Sequence, residues 1–123
     1  MLTTAGKNLI AAALTNIGSP TLFTNANSYI GLGDSTTAES ASHTDLQAST
    51  NKVRVGMESG YPSVTNNVIT FKAVFGAAQG NFAVNEWGVF NASSSGTMLS
   101  RKQVNVGTKN GGTWTVTVTL TIG

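Results

Sequence analysis

Thr113-Trp-Thr-Val-Thr-Val-Thr-Leu-Thr-Ile122 alternates without a break. Trp114, Val116, Val118, Leu120 and Ile122 fall on one parity, and Thr113, Thr115, Thr117, Thr119 and Thr121 on the other. Successive side chains of a strand point to opposite faces, so this is a strand with one buried face and one Thr face. Threonine has high β propensity and a hydroxyl that bonds across strands, which makes the Thr face either solvated or part of a flat contact surface. Upstream the period of two continues. Gly107–Gly112 is a turn, Thr97–Val106 a strand, Ala92–Gly96 a serine-rich turn, and Phe82–Asn91 a strand rich in aromatics. Gly76–Asn81 is a loop. In Val68–Phe75 the residues Ile69, Phe71, Ala73 and Phe75 share a face, and Asn66-Asn67 before it is a hairpin-type turn. Lys52–Met57 turns Val53, Val55 and Met57 inward until Gly60 and Pro62 interrupt it, and Thr21–Thr24 and Ser28–Leu32 flank the turn group Asn25-Ala-Asn27. About seven or eight short strands with Gly- and Asn-rich turns predict a mainly β chain, a sandwich or a jelly roll.

Only the start breaks the pattern. Leu2, Leu9, Ile10, Ala13, Leu14 and Ile17 recur at helical spacings, Thr3 or Thr4 can cap, and Gly18 with Pro20 stops, which predicts one N-terminal helix over Thr4–Ile17. Its stripe needs a sheet or a partner subunit to cover it. The apolar run Leu9–Leu14 after Lys7 is too short for a secretory signal, so the segment is expected to belong to the mature fold. No stretch approaches the roughly 18 apolar residues of a membrane span.

The length of 123 residues suits a single domain, helix over 4–17 and sandwich over 20–123. Charged residues are 10% of the chain, less than half the roughly 25% of a typical soluble domain, so its polarity rests on Thr, Ser, Asn and Gly. Such neutral groups can be covered by a partner without the cost of burying ions. The net charge of +2 is spread thinly, with Lys52/Arg54 and Arg101/Lys102 the close cationic pairs and no interleaved aromatics, so no nucleic-acid partner is expected. With no cysteine the fold holds by packing alone, a composition that fits assembly inside a cell and also an extracellular life.

Residues 33–49 lack apolar periodicity. A segment of this length without structure of its own is a candidate partner-binding arm, with Asp34, Ser40, His43, Thr44, Asp45 and Leu46 as its contact residues. The lone histidine, His43, beside Asp45 makes neither a triad nor a metal cluster by itself. Asp34 and Asp45 match no calcium-loop spacing, and Gly31-Leu-Gly-Asp34 lacks the third glycine and following helix of a phosphate cradle, so it reads as a turn after a strand. Neither a metal nor a cofactor is expected, and the poverty of titratable groups argues against an enzyme. Glu86, inside Phe82-Ala-Val-Asn-Glu-Trp-Gly-Val-Phe90, is costly among aromatics unless paired. Arg101 on the neighbouring strand is its expected partner, a structural ion pair fixing strand register.

Two segments carry a family resemblance. Ser28-Tyr-Ile-Gly-Leu-Gly-Asp-Ser-Thr-Thr-Ala38, followed by Thr44-Asp45-Leu46, and Glu86-Trp-Gly-Val-Phe-Asn91 with Gly96-Thr-Met-Leu-Ser-Arg101, resemble motifs of small structural proteins of tailed-bacteriophage virions. The opening Thr3-x-x-Gly-Lys-Asn-Leu-Ile10 is similar as well. The resemblance extends to head-decoration, tail-fibre and baseplate proteins, and it implies a jelly-roll-like antiparallel β-sandwich and structural roles without catalytic residues. Without coiled coil, fibrous repeat or receptor-binding extension, the chain is expected to be complete and compact. The leading expectation is therefore a capsid decoration, or cement, protein on the outer surface of the head, assembled in the host cytoplasm. Its partners would be the major capsid protein and copies of itself as a dimer or trimer, with no small-molecule substrate. The alternative is a tail, baseplate or fibre adaptor of the virion. A third reading, a carbohydrate-binding module, rests on Tyr29, Tyr61, Trp87 and Trp114, although Trp114 falls in the buried register.

Overall fold

The computed structural model describes residues 1–123. After helix α1 (Thr4–Thr15) come strands β1 (Tyr29–Gly33), β2 (Lys52–Gly56), β3 (Ser63–Thr65), β4 (Val68–Phe75), β5 (Ala83–Phe90), β6 (Met98–Thr108) and β7 (Trp114–Thr121). They form two antiparallel sheets, ordered β2-β1-β5-β6 and β3-β4-β7. The mainly β sandwich with an N-terminal helix is as the periodicity predicts.

The alternation of β7 decides what faces the core. Its register with β4 sets Ile69 opposite Leu120, Phe71 opposite Val118, Ala73 opposite Val116 and Phe75 opposite Trp114. Phe71, Ala73, Phe75 and Val118 meet Ile30, Leu32, Val84, Val89 and Leu99 of the other sheet in one buried cluster. Trp87 and Trp114 lie half-buried against it. The β7 threonines stand in solvent.

Thr3 caps α1, its Oγ1 accepting from Gly6 N at 2.8 Å and donating to the Met98 carbonyl. Gly6 rests on β6 so closely that a Cβ there would lie 2.9 Å from Leu99 Cα. The helix stops at Thr15 rather than Ile17, because Asn16 turns left-handed at φ 52°. Thr21–Thr24 is not a strand. Asn91 Nδ2 bonds the Thr21 carbonyl and Asn25 Nδ2 the Glu58 and Tyr61 carbonyls, so side chains fix this segment in place of a ladder. The hairpin turn at Asn66-Asn67 has its incoming strand in β3, a short element not anticipated from the sequence. β1 continues through Gly31 and Gly33, which are strand residues and not a turn.

Candidate functional site

Gly31 and Gly33 lie on the face of β1 turned away from the inter-sheet core, and Glu86, Gly88 and Phe90 of β5 share that face. A Cβ on Gly31 would lie 2.9 Å from Phe90 Cε1 and 3.0 Å from Leu46 Cδ1, and one on Gly33 would collide with the Glu86 carboxylate. The glycines thus clear a floor on which residues 34–51 lie down. Glu86 is fully buried and its carboxylate holds that segment in place. Oε1 accepts from Arg101 Nε and from Gln47 N, both at 2.8 Å, while Oε2 accepts from Ala48 N at 2.9 Å and Ser35 N at 3.3 Å. Arg101 Nη2 donates to the Thr37 carbonyl at 2.9 Å. A buried charge is tolerable when paired and hydrogen-bonded in this way.

The expected contact residues are therefore largely bound to the body of the protein. Leu46 is buried with Phe90 and Met98, so its side chain is packing and not a partner contact, a correction to its expected role. Asp34 Oδ2 accepts from Asn51 Nδ2, Ser40 bonds Ser42, and Thr44 stands exposed. His43 is half-buried, and Asp45 turns not to it but to Lys52 Nζ at 3.1 Å and Arg54 Nη2 at 3.3 Å. Partial burial pushes the Asp45 carboxyl up, but bonds from Lys52, Leu46 N and Arg54 together with the Lys52 charge outweigh it and hold the group below its ordinary 3.8. Arg54 also donates to the Ala92 and Ser95 carbonyls and stacks 3.5 Å above the Phe90 ring. These contacts make a clamp rather than a free arm.

The open surface lies at the helix. Gly6 is the only buried residue of α1, while Leu9, Ile10 and Ala13 are half-buried and Leu14 is 84% exposed. Between α1 and the β3-β4-β7 sheet runs a groove of about 440 Å³, lined by 13 residues of which 12 are hydrophobic. Leu22, Val64 and Ile122 form its rim at 49%, 69% and 58% exposure. Monomeric proteins rarely leave apolar residues of this size contiguous and in water unless a partner covers them. The sequence signal was present in the helical stripe, but Leu22 and Val64 lie in segments whose pattern gives no hint of a shared surface.

A sequence profile described as phage tail-collar fibre protein, N-terminal, matches residues 1–111. The chain belongs to this family. It is a structural protein of the phage virion. The match takes in α1, the clamp and six of the seven strands, leaving β7 outside it. No curated protein matches the chain.

Proposed function

We propose that this member of the tail-collar fibre family is a non-catalytic adaptor of the phage tail, joined to other virion proteins through the apolar groove between α1 and the β3-β4-β7 sheet. The observation that carries the reading is the stripe of α1. Leu14, on a helix whose apolar face should be inside, is 84% exposed beside a groove that is hydrophobic almost throughout. A neighbouring protein that presents an uncharged apolar ridge would bury both, and desolvated apolar contacts at the centre of an interface supply most of its energy. The family description supports a place in the tail over decoration of the head, so the alternative raised from the sequence becomes the leading one. No cofactor, nucleic acid or small substrate enters this role. Immunogold labelling of intact virions tests it: label on the tail or its collar is the expected result, and label confined to the head would overturn it.

A further inference from the structure

β7 lies at the edge of its sheet and gives the groove only Leu120 and, just beyond the strand, Ile122; its outer backbone edge is a separate feature. Ile122 N donates to the Asn67 carbonyl at 2.8 Å and Asn67 Nδ2 donates back to the Ile122 carbonyl at 2.8 Å. From that pair the β4–β7 register runs unbroken to Phe75 opposite Trp114. Backbone groups alternate sides along an antiparallel strand, so the amides and carbonyls of Leu120, Val118, Val116 and Trp114 face β4. Those of Thr115, Thr117, Thr119 and Thr121 face outward. β7 pairs with β4 alone, and no other backbone bond reaches these four threonines. Beside the strand the sandwich opens in a cleft of about 360 Å³ lined by Trp87, Val106, Val116 and Val118, where the half-buried Trp87 and Val116 at the margin of the core reach solvent.

Unpaired edges are ordinarily blunted by shortness, charge or cover. The other three edges here follow that rule. β3 has three residues, β2 carries Lys52 and Arg54, and β6 carries Lys102 and is covered at its start by Met1–Thr3 through bonds between Met1 and Arg101 and from Thr3 to Leu99. β7 is eight residues long, regular and without a single charge.

We infer that two copies of this chain pair through β7, antiparallel about a two-fold axis, to join their three-stranded sheets into one continuous sheet. Charge and pattern both favour a second copy. A two-fold contact sets each side chain near its own duplicate or a residue of the same parity, so any charge on the strand would meet its like, and β7 has none. In the same pairing every Thr opposes a Thr and every apolar residue an apolar one, because opposed residues point to one face. The solvated Thr face and the inner apolar face both continue across the axis, and the partner's inward side chains extend over the open cleft. The axis falls on Thr117 or Val118, the residues flanking the strand's midpoint.

Sedimentation equilibrium of the chain tests this directly, with a reversible dimer as the expected result. Thr117→Pro removes an outward amide that β4 does not use, and Thr117→Lys sets like charges across the axis. Each should weaken the dimer by at least about tenfold while circular dichroism stays that of the folded chain. If the proline disturbs folding, the lysine variant decides. Because the chain has no cysteine, Thr117→Cys also distinguishes the two registers: an axis on Thr117 should give a disulfide-linked dimer under mild oxidation, whereas an axis on Val118 sets the two thiols on a diagonal beyond bridging. A monomer at every concentration, a mass of three chains, or a dimer untouched by Thr117→Lys would overturn the inference.

Discussion

Residues 34–51 and helix α1 invert each other. The first segment is polar, irregular and free of periodicity, yet its amides at Ser35, Gln47 and Ala48 converge on one buried carboxylate and its Leu46 is core. The second is regular and amphipathic, yet its apolar stripe leaves Leu14 in water. Polarity along the chain therefore does not tell which surface is kept for a partner. What decides is whether the rest of the chain supplies matching groups. Glu86 and the glycines of β1 supply them for the loop, and nothing completes the cover over the helix.

The contrast breaks most severely at Glu86. Glu86→Ala strands Arg101 as a buried charge and removes the acceptor of three loop amides, so a loss of about 3–5 kcal/mol in urea-induced unfolding is expected. In a double-mutant cycle with Arg101→Ala the two losses should be far from additive. Strict additivity would mean the pair is not a unit. Gly33→Ala leaves every partner in place but drives a methyl against the same carboxylate, and the expected cost is about 1–3 kcal/mol. A variant as stable as wild type would show that the loop floor has room to give.

A smaller effect should appear at the rim of the clamp. The Asp45 carboxyl is held below its ordinary 3.8, so its contribution to stability is complete above that pH and is lost as pH falls through the lower folded value. Asp45→Asn should flatten this part of the stability-versus-pH curve. With 44% of the side chain exposed, screening keeps the difference to about 1 kcal/mol or less. Identical curves for the two proteins would mean that Lys52 and Arg54 do not hold the loop through Asp45.

Much of the fold was legible because its signal is local. The parity of Trp114–Ile122 and of Ile69–Phe75 follows from a two-residue period that packing does not alter, and the cost of a lone carboxylate among aromatics pointed from Glu86 to Arg101. The rest is not legible, because its meaning depends on distant parts of the chain. Gly31 and Gly33 resemble turn residues, but they are strand positions emptied for a loop that returns from residue 46. Asn25 and Asn91 fix the segment after the helix through carbonyls remote in sequence, so the expected strand at Thr21–Thr24 never forms. Lys109 is buried with its ammonium on the Gly76 carbonyl and Asn81 Oδ1, an arrangement no spacing announces. The groove escaped for the same reason, since Leu14, Leu22, Val64 and Ile122 meet only in three dimensions.

Leu14→Asp tests most directly the claim that this groove, and not the loop, is the assembly surface. Virions grown with the variant would be purified and the copies per particle counted against wild type, alongside the melting of the isolated chain. At 84% exposure the substitution should change stability by no more than about 0.5 kcal/mol. Incorporation should nevertheless collapse, because the charge would have to be buried unpaired in the joint. Normal incorporation by a normally melting variant would contradict the account, and so would loss of the fold itself.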